Sequence, residues 1–304
     1  MRKNILRNGV AALTLLCATG LAVAEPAKFD SPEAAVEAIL AALDARDREA
    51  LLTVFGTENE DVVFTGDEDE DAQLWTEFLK SYGRQHRIEM ADGDAILHIG
   101  REDWPFPVAI VNVSGAWQFD GAGAREEVLM RRIGLNELDV IDVLKTGVEI
   151  QAEFRQADYD GDGVMEFAAG ILSSPGQRDG LYWPDEPGTQ QSPIGPHVAR
   201  ASADGYNFDG TDEAPDPYLG YYFRVLQKQG PAAPGGALDY MIGGNMVAGH
   251  AFLAYPADYG QTGIMSFMVG ENGVIYEADL GEDTLAVGNA MDSFNPGEGW
   301  TLSD

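Results

Sequence analysis

The chain has 304 residues, of which 51 are acidic and 19 basic, so its formal net charge at pH 7 is −32. A surface this acidic repels DNA, RNA and anionic lipid, which argues against nucleic-acid binding as a function. Hydrophobic residues make up 45% of the chain, enough to bury one large core or two ordinary ones.

The first segment has the three parts of a secretory signal, which predicts that residues 1–24 are a signal peptide removed on export. Basic residues between Arg2 and Arg7 precede an apolar stretch, Val10–Ala22, that is too short for a typical membrane span. Ala22 and Ala24, on either side of Val23, fit the small-x-small rule for a cleavage site, so Glu25 is the expected first mature residue. We therefore expect a mature protein in the periplasm or the extracellular space.

The alternatives to cleavage are a retained anchor or lipid attachment at Cys17, although the bulky Leu16 before this cysteine fits lipidation poorly. Cleavage removes the only cysteine, which leaves a mature chain without disulfides or thiol chemistry. No later stretch approaches 20 apolar residues, so we expect the mature form not to span a membrane.

Residues 25–133 predict an N-terminal α+β domain. Helix starts at Ser31 and Asp47 and a run of acids from Asp67 each precede apolar residues at helical spacing, including a stripe from Leu74 to Tyr82. Two pairs of predicted strands then flank Asp92-Gly93 and Ser114-Gly115, which are hairpin turns. Helices followed by an antiparallel sheet resemble, at the level of fold alone, the cone-shaped nuclear transport factor 2 superfamily.

Residues 134–304 predict a C-terminal domain, in which a long helix packs on a second antiparallel sheet with Gly/Pro-rich loops. A glycine-rich and then charged hinge over 121–134 precedes this helix, predicted from about Leu135 to Ala157 with Leu138 on its apolar side. Residues 172–196 and 205–217 read as loops, and later strands flank turns at Gly243-Gly244 and Asn272-Gly273. This layout is loosely similar to type IV pilin globular heads.

The strongest local motif places carboxylates at positions 1, 3 and 5 and a glycine at position 6 of a calcium-type loop. Its predicted metal ligands are Asp158, Asp160, Asp162 and Glu166. Position 12, where an EF-hand supplies a bidentate Glu, is Ala169. Calcium is therefore one interpretation of this loop, and an Asp/Gly-rich turn that caps backbone amides is the other.

Aromatic residues among prolines and glycines are candidates for a ligand or partner surface, and they fall in two pairs. The candidates are Trp104 with Phe106 and Tyr182 with Trp183. Exposed rings of this kind hold sugars or peptides, whereas buried rings anchor long loops to a sheet. Both interpretations are open at this stage.

The sequence lacks recognisable catalytic signatures. His86, His98, His197 and His250 show no metal-binding spacing, and no Gly-x-Ser-x-Gly elbow occurs. Catalytic residues are thus unknown and no cofactor motif is found. The densest mixed-charge cluster comprises Glu126, Glu127, Arg131, Arg132 and Glu137, for which we expect a structural salt-bridge network at the domain junction.

Several phrases together resemble a bacterial family of exported proteins, catalogued as domain of unknown function 2950. They are residues 30–35, 103–107, 131–138, 179–184, 192–196, 220–224, 230–236 and 255–260. His250 departs from the apolar aromatic residue that the resemblance implies at that position. The resemblance implies an envelope-associated protein and supplies no catalytic residues.

These observations favour a non-enzymatic binding or assembly factor of the bacterial cell envelope, with an envelope protein or glycan as its partner. The alternative is a hydrolase that cleaves an envelope glycan or peptide through paired carboxylates.

Overall fold

Local signals start the three predicted helices of the N-terminal part as expected, whereas a fourth, short helix without a side-chain cap was not predicted. In the computed structural model, which describes residues 24–185, 188–195, 198–199, 201–202 and 215–303, Ser31 Oγ accepts from Ala34 N over 3.2 Å and caps α1. Asp67 Oδ1 accepts from two backbone amides at the start of α4. The helices are α1 (Pro32–Ala45), α2 (Arg48–Phe55), α3 (Glu60–Val63) and α4 (Glu68–Arg84), with a 3-10 turn at Thr57–Asn59.

The strands that follow form one antiparallel sheet in which β1, β2, β4 and β5 are successive neighbours and β3 pairs with β2. They are β1 (His86–Ala91), β2 (Asp94–Ile99), β3 (Trp104–Pro105), β4 (Ile110–Val113) and β5 (Ala116–Phe119). Both predicted hairpin turns are present, since Ala91 pairs with Asp94 and Val113 with Ala116.

The core of this part lies between α1, α2 and the sheet. Phe55 on α2 packs on Phe119 on β5 with ring centroids 4.8 Å apart, and both residues are buried. The expectation that α4 buries a stripe of apolar residues holds only in part, because Leu74 is 41% exposed. The fully buried residue of α4 is Asp71, whose carboxylate contacts Arg48 over 2.8 Å and accepts from Thr65 N.

A single long helix, α5 (Gly121–Phe154), replaces the predicted hinge over 121–134. The hinge prediction is wrong because Asp120 caps a helix start there: its Oδ1 accepts from Gly123 N over 2.9 Å. A further correction concerns Leu138, which is 61% exposed, whereas Val140 and Leu144 are buried. The chain divides into a first unit, 24–126, and a second unit, 127–303, whereas the sequence predicts a boundary after Ile133.

The second unit contains an antiparallel sheet in which β16, β15, β14, β13 and β8 are successive neighbours. Shorter ladders pair β9 with β10 and β11 with β12, and β6 runs parallel to β7. The strands are β6 (Gly170–Leu172), β7 (Gly180–Tyr182), β8 (Tyr221–Leu226), β9 (Lys228–Gln229), β10 (Leu238–Asp239), β11 (Met241–Ile242), β12 (Asn245–Met246), β13 (Ala251–Pro256), β14 (Met265–Gly270), β15 (Ile275–Asp279) and β16 (Thr301–Leu302), and the last helix is α6 (Thr284–Ala290).

Both faces of this sheet are covered, which explains why every residue of β13 is buried. Phe252 points towards α5, where a Cβ added to Gly147 would lie 3.3 Å from its ring. Tyr255 points to the opposite face, where a Cβ on Gly288 of α6 would lie only 2.5 Å from its ring. The glycines at these two positions therefore let each helix approach the sheet closely.

The observed architecture is α+β, as predicted. Among the described residues, no helix is both long enough and apolar enough to cross a membrane. The predicted signal peptide up to Val23, with Cys17, lies outside the described residues, and so do His197 and most of the predicted loop 205–217.

Candidate functional site

The predicted calcium loop follows directly after α5, and the structure brings three of its four predicted ligands together. One carboxylate oxygen from each of Asp158, Asp160 and Asp162 lies within 4.8 Å of the other two, and all three side chains are exposed. Positive φ angles of +81° at Gly161 and +91° at Gly163 turn the chain around this cluster. Carboxylate oxygens that lie this close together are suitable ligands for a hard cation such as calcium.

The same carboxylates also bond to their own loop, as the turn interpretation requires. Asp158 accepts from Gly161 N over 2.7 Å and from Gly163 N over 2.9 Å, and these two bonds lower the pKa of its carboxyl. Asp162 accepts from Val164 N over 2.7 Å and from the side-chain amide of Asn245. Calcium binding at this loop stays a prediction.

Glu166, the fourth predicted ligand, lies apart from the cluster. Its Oε2 accepts from Met246 N over 2.7 Å, and the residue is only 9% exposed. Burial raises the pKa of this carboxyl, and the nearby Asp160 and Asp162 raise it further. Glu166 therefore ties the exit of the loop to the β11–β12 hairpin.

The aromatic candidates differ in their exposure. Trp104, in the first unit, is 42% exposed, whereas Phe106 packs edge-on against Phe78 with ring centroids 5.4 Å apart. Tyr182 is half-buried, and Trp183 is 3% exposed with its Nε1 donating to Gln190 O over 2.9 Å. Of the four rings, that of Trp104 is the most accessible to a ligand.

The described histidines occupy three different environments. His86 is exposed and stacks on Tyr82, and His98 lies 3.3 Å from Glu89 on the neighbouring strand. His250 is 1% exposed between Phe167 and Phe252, and neither of its ring nitrogens has a hydrogen-bond partner in the described part of the chain. Burial lowers the pKa of its imidazole to about 4.

The predicted charge cluster disperses along α5. Arg131 bonds to Glu127 one turn earlier over 2.7 Å. Glu137 accepts from Ile264 N and Met265 N over 2.9 Å each, which fixes the start of β14. These contacts lie within the second unit, and they are structural.

An apolar groove in the second unit was not anticipated by the sequence analysis. Its volume is about 440 Å³, within the range of ordinary ligand pockets. Its walls are aliphatic and aromatic side chains from α5, the sheet and the neighbouring loops, among them Val143, Ile150, Ile171, Leu181, Phe223 and Phe252. The period of α5 indicates an apolar side, but the opposite wall comes from residues far away in sequence.

Two carboxylates stand at the rim of this groove, Asp139 and Asp142, and both are exposed. They are three residues apart on α5, so they belong to the same wall. Thr146 also lines the groove, but its hydroxyl donates to Asp142 O over 2.8 Å. The groove therefore offers apolar burial with negative charge at one edge.

A separate polar cleft of about 640 Å³ lies between β6, β8 and the segment after α6. Three carboxylates line it, Asp179, Asp239 and Asp292, and each has a structural partner. Asp179 accepts from Ser174 N, Asp239 from Met241 N, and Asp292 from Lys228 over 2.7 Å. The Lys228 ammonium lowers the pKa of the Asp292 carboxyl.

Together these features define a two-unit α+β protein with an apolar groove and an acidic loop in its second unit. A family model described as "Protein of unknown function (DUF2950)" matches residues 26–302, and the chain belongs to that family, as the sequence resemblance indicated. No curated protein and no solved structure matches the chain. The similarity to type IV pilin heads stays a prediction.

Proposed function

We propose that the mature chain is a non-enzymatic binding factor of the bacterial cell envelope, and that it binds its partner through the apolar groove of the second unit. The observation that carries this proposal is the groove itself, about 440 Å³ of space walled by apolar side chains. Each Å² of apolar surface removed from water contributes about 25 cal/mol, so a ligand that fills the groove gains most of its affinity by burial.

The groove supports binding better than catalysis. Its two carboxylates, Asp139 and Asp142, project from one wall, whereas glycosidases place their two carboxylates on opposite sides of the scissile bond. The hydroxyl of Thr146 is already donated to a backbone carbonyl. None of these groups is arranged as a nucleophile beside a base.

The hydrolase alternative rests on the polar cleft, where three carboxylates share one concave surface. A general acid in such an enzyme needs a raised pKa, whereas Lys228 lowers the pKa of Asp292. The remaining two carboxylates hold backbone amides of Ser174 and Met241. The cleft therefore supports this alternative less well than the groove supports binding.

The envelope setting belongs to the proposal as well. It is supported by the basic, then apolar, then small-residue pattern of residues 1–24. A fusion of residues 1–30 to a reporter that is active only after export tests this part directly. An inactive reporter, with the fusion protein retained in the cytoplasm, would contradict it.

The binding proposal is tested with the mature chain and the neutral apolar fluorophore N-phenyl-1-naphthylamine. The wild type should bind the dye saturably with one-to-one stoichiometry. Thr146→Trp places an indole at the groove mouth and should weaken dye binding by about tenfold or more, a loss of about 1.4 kcal/mol. Glu149→Trp adds the same ring to an exposed position of α5 outside the groove and should bind like the wild type.

Two results would overturn the proposal. One is the absence of saturable dye binding, or equal binding by Thr146→Trp and the wild type. The other is turnover of isolated envelope glycan or peptide by the mature chain that Asp179→Asn or Asp292→Asn abolishes, which would establish the hydrolase instead.

A further inference from the structure

The outward face of α5 forms one surface that is longer than the groove. The groove-lining positions of α5 are 139, 142, 143, 144, 146, 147 and 150. Apart from the buried Leu144, successive positions are separated by three residues and by one in alternation, so they follow one side of the helix. Leu135 and Leu138 continue this side towards the N-terminus, and they are 56% and 61% exposed. From Leu135 to Ile150 this surface, here called the α5 face, is about 22 Å long.

The chemistry of the α5 face changes along its length. Apolar side chains occupy both ends, Leu135 and Leu138 at one end and Val143 with Ile150 at the groove. The carboxylates of Asp139 and Asp142 lie between them. The order along the helix is therefore apolar, anionic, apolar.

The ammonium group of Lys145, which lies near these carboxylates, forms only an exposed ion pair with one of them. Lys145 Nζ lies 3.4 Å from Asp142 Oδ1, and the two side chains are 58% and 79% exposed. Exposed ion pairs of this kind contribute little to stability, so an incoming cation can replace Lys145 at little cost. The α5 face thus presents negative charge that a partner can neutralise.

We propose that the α5 face and the groove bind a basic amphipathic helix of a partner protein, an inference that rests on the proposed function. Aliphatic side chains of this helix occupy the groove and cover Leu135 and Leu138, and a Lys or Arg midway along it meets Asp139 and Asp142. Helix-in-groove binding uses apolar anchors at positions i, i+3, i+4 and i+7, which is the spacing that the α5 face offers.

Charge selects this partner over an anionic membrane or an acidic peptide. The whole chain carries a net charge of −32, so acidic partners meet long-range repulsion as well as the two carboxylates on the α5 face. A basic helix is attracted both by the net negative charge of the chain and by these two carboxylates, so it associates faster at low salt. The proposed partner is therefore a basic peptide helix, and preferential binding to anionic vesicles would contradict the proposal.

The experiment measures binding of two fluorescent synthetic helices to the mature chain. Both carry leucines at i, i+3, i+4 and i+7 in each half, and they differ only in having lysines or glutamates at the centre. The lysine peptide should bind saturably at low salt and the glutamate peptide should not. The double variant Asp139→Asn/Asp142→Asn should bind the lysine peptide roughly five- to tenfold more weakly than the wild type does.

A matched control separates local from global charge. Glu282→Gln/Asp283→Asn changes the net charge by the same amount at exposed positions just before α6, which covers the face of the sheet opposite to α5 and does not line the groove. It should bind the lysine peptide like the wild type. Equal weakening by both double variants would overturn the inference, because the overall charge alone would then explain the selectivity.

The remaining measurements distinguish failure of this inference from failure of the proposed function. If the wild type binds the naphthylamine dye but not the lysine peptide, or binds both peptides equally, this inference fails and the proposed function stands. If the wild type binds no dye, the proposed function fails. Stronger binding to phosphatidylglycerol vesicles than to the lysine peptide would overturn the inference in favour of a membrane surface.

Discussion

The side-chain amide of Gln151 makes both hydrogen bonds of the Ala168 backbone. Gln151 Nε2 donates to the Ala168 carbonyl over 2.9 Å, and Gln151 Oε1 accepts from Ala168 N over 2.8 Å. Both residues are 0% exposed, so no solvent can replace either bond. This exchange joins the last turns of α5 to the exit of the Asp158 loop.

Replacement of Gln151 should therefore destabilise the second unit markedly. Gln151→Leu keeps the size of the side chain but leaves a buried N–H and a buried C=O of Ala168 without partners, at a cost of about 2–4 kcal/mol in the free energy of unfolding. Urea denaturation monitored by circular dichroism measures this loss. Gln156→Leu, which removes an exposed bond to Ala152 O, should change stability by less than about 0.5 kcal/mol. Equal effects of the two variants would contradict the role of the buried pair.

His250 should destabilise the fold at any pH, because its ring is buried and neither nitrogen has a hydrogen-bond partner among the described residues. His250→Phe removes this desolvation penalty and should raise the free energy of unfolding by about 1–3 kcal/mol. His250→Leu serves as a smaller replacement if the phenyl ring crowds Phe167. A loss of stability in both variants would show that the imidazole has a partner. The comparison is made at pH 8, where the imidazole is neutral in both the folded and the unfolded state.

The same residue should make the fold sensitive to mild acid. The folded pKa of His250 is about 4, below its ordinary value of 6.5, so the unfolded chain takes up a proton between these values that the folded chain excludes. Stability that is present above pH 6.5 is therefore lost as the pH falls towards 4, on the order of 3 kcal/mol in all. Subtracting the pH profile of His250→Phe from that of the wild type isolates this contribution from the carboxylates. A flat difference between pH 8 and pH 4 would disprove it.

Calcium should stabilise the protein through the Asp158 loop. Isothermal titration should show saturable binding at millimolar or submillimolar calcium, because exposed loops with few charged ligands bind weakly. Asp160→Ala should abolish this binding and the accompanying rise in melting temperature, whereas Asp44→Ala, at an exposed position of α1, should retain both. Unchanged titration of Asp160→Ala would reject the calcium interpretation and leave the turn interpretation.

Local signals predicted local structure well. The Ser31 cap, the Asp92-Gly93 turn and the strand His86–Ala91 are all found as expected, because each depends on residues within one turn or one hairpin. The Asn272-Gly273 turn between β14 and β15 is another example. In these places the chain needs no information from distant residues.

The wrong or missing predictions concern places where contacts between residues far apart in sequence determine the structure. Gly121 and Gly123 suggested a hinge, yet the Asp120 cap and the packing around Asn59 keep them helical. The apolar groove could not be predicted at all, because Val143 and Leu181 meet across it only after the second sheet has formed. The same holds for Glu166, whose partner Met246 lies 80 residues later.

Two adjacent residues of α5 form hydrogen bonds with residues that lie far later in the sequence. Asn136 donates to Thr262 O, and Glu137 accepts from Ile264 N and Met265 N, across separations of 126 to 128 residues. During synthesis the helix therefore emerges long before the strand that it anchors, with the side that later covers the sheet unprotected. Contacts between residues so far apart in sequence form slowly, because a long loop must close first. The second unit therefore stays incompletely folded for longer. Under the proposed export, slow completion of this contact keeps the chain unfolded for the interval in which a secretion machinery threads it.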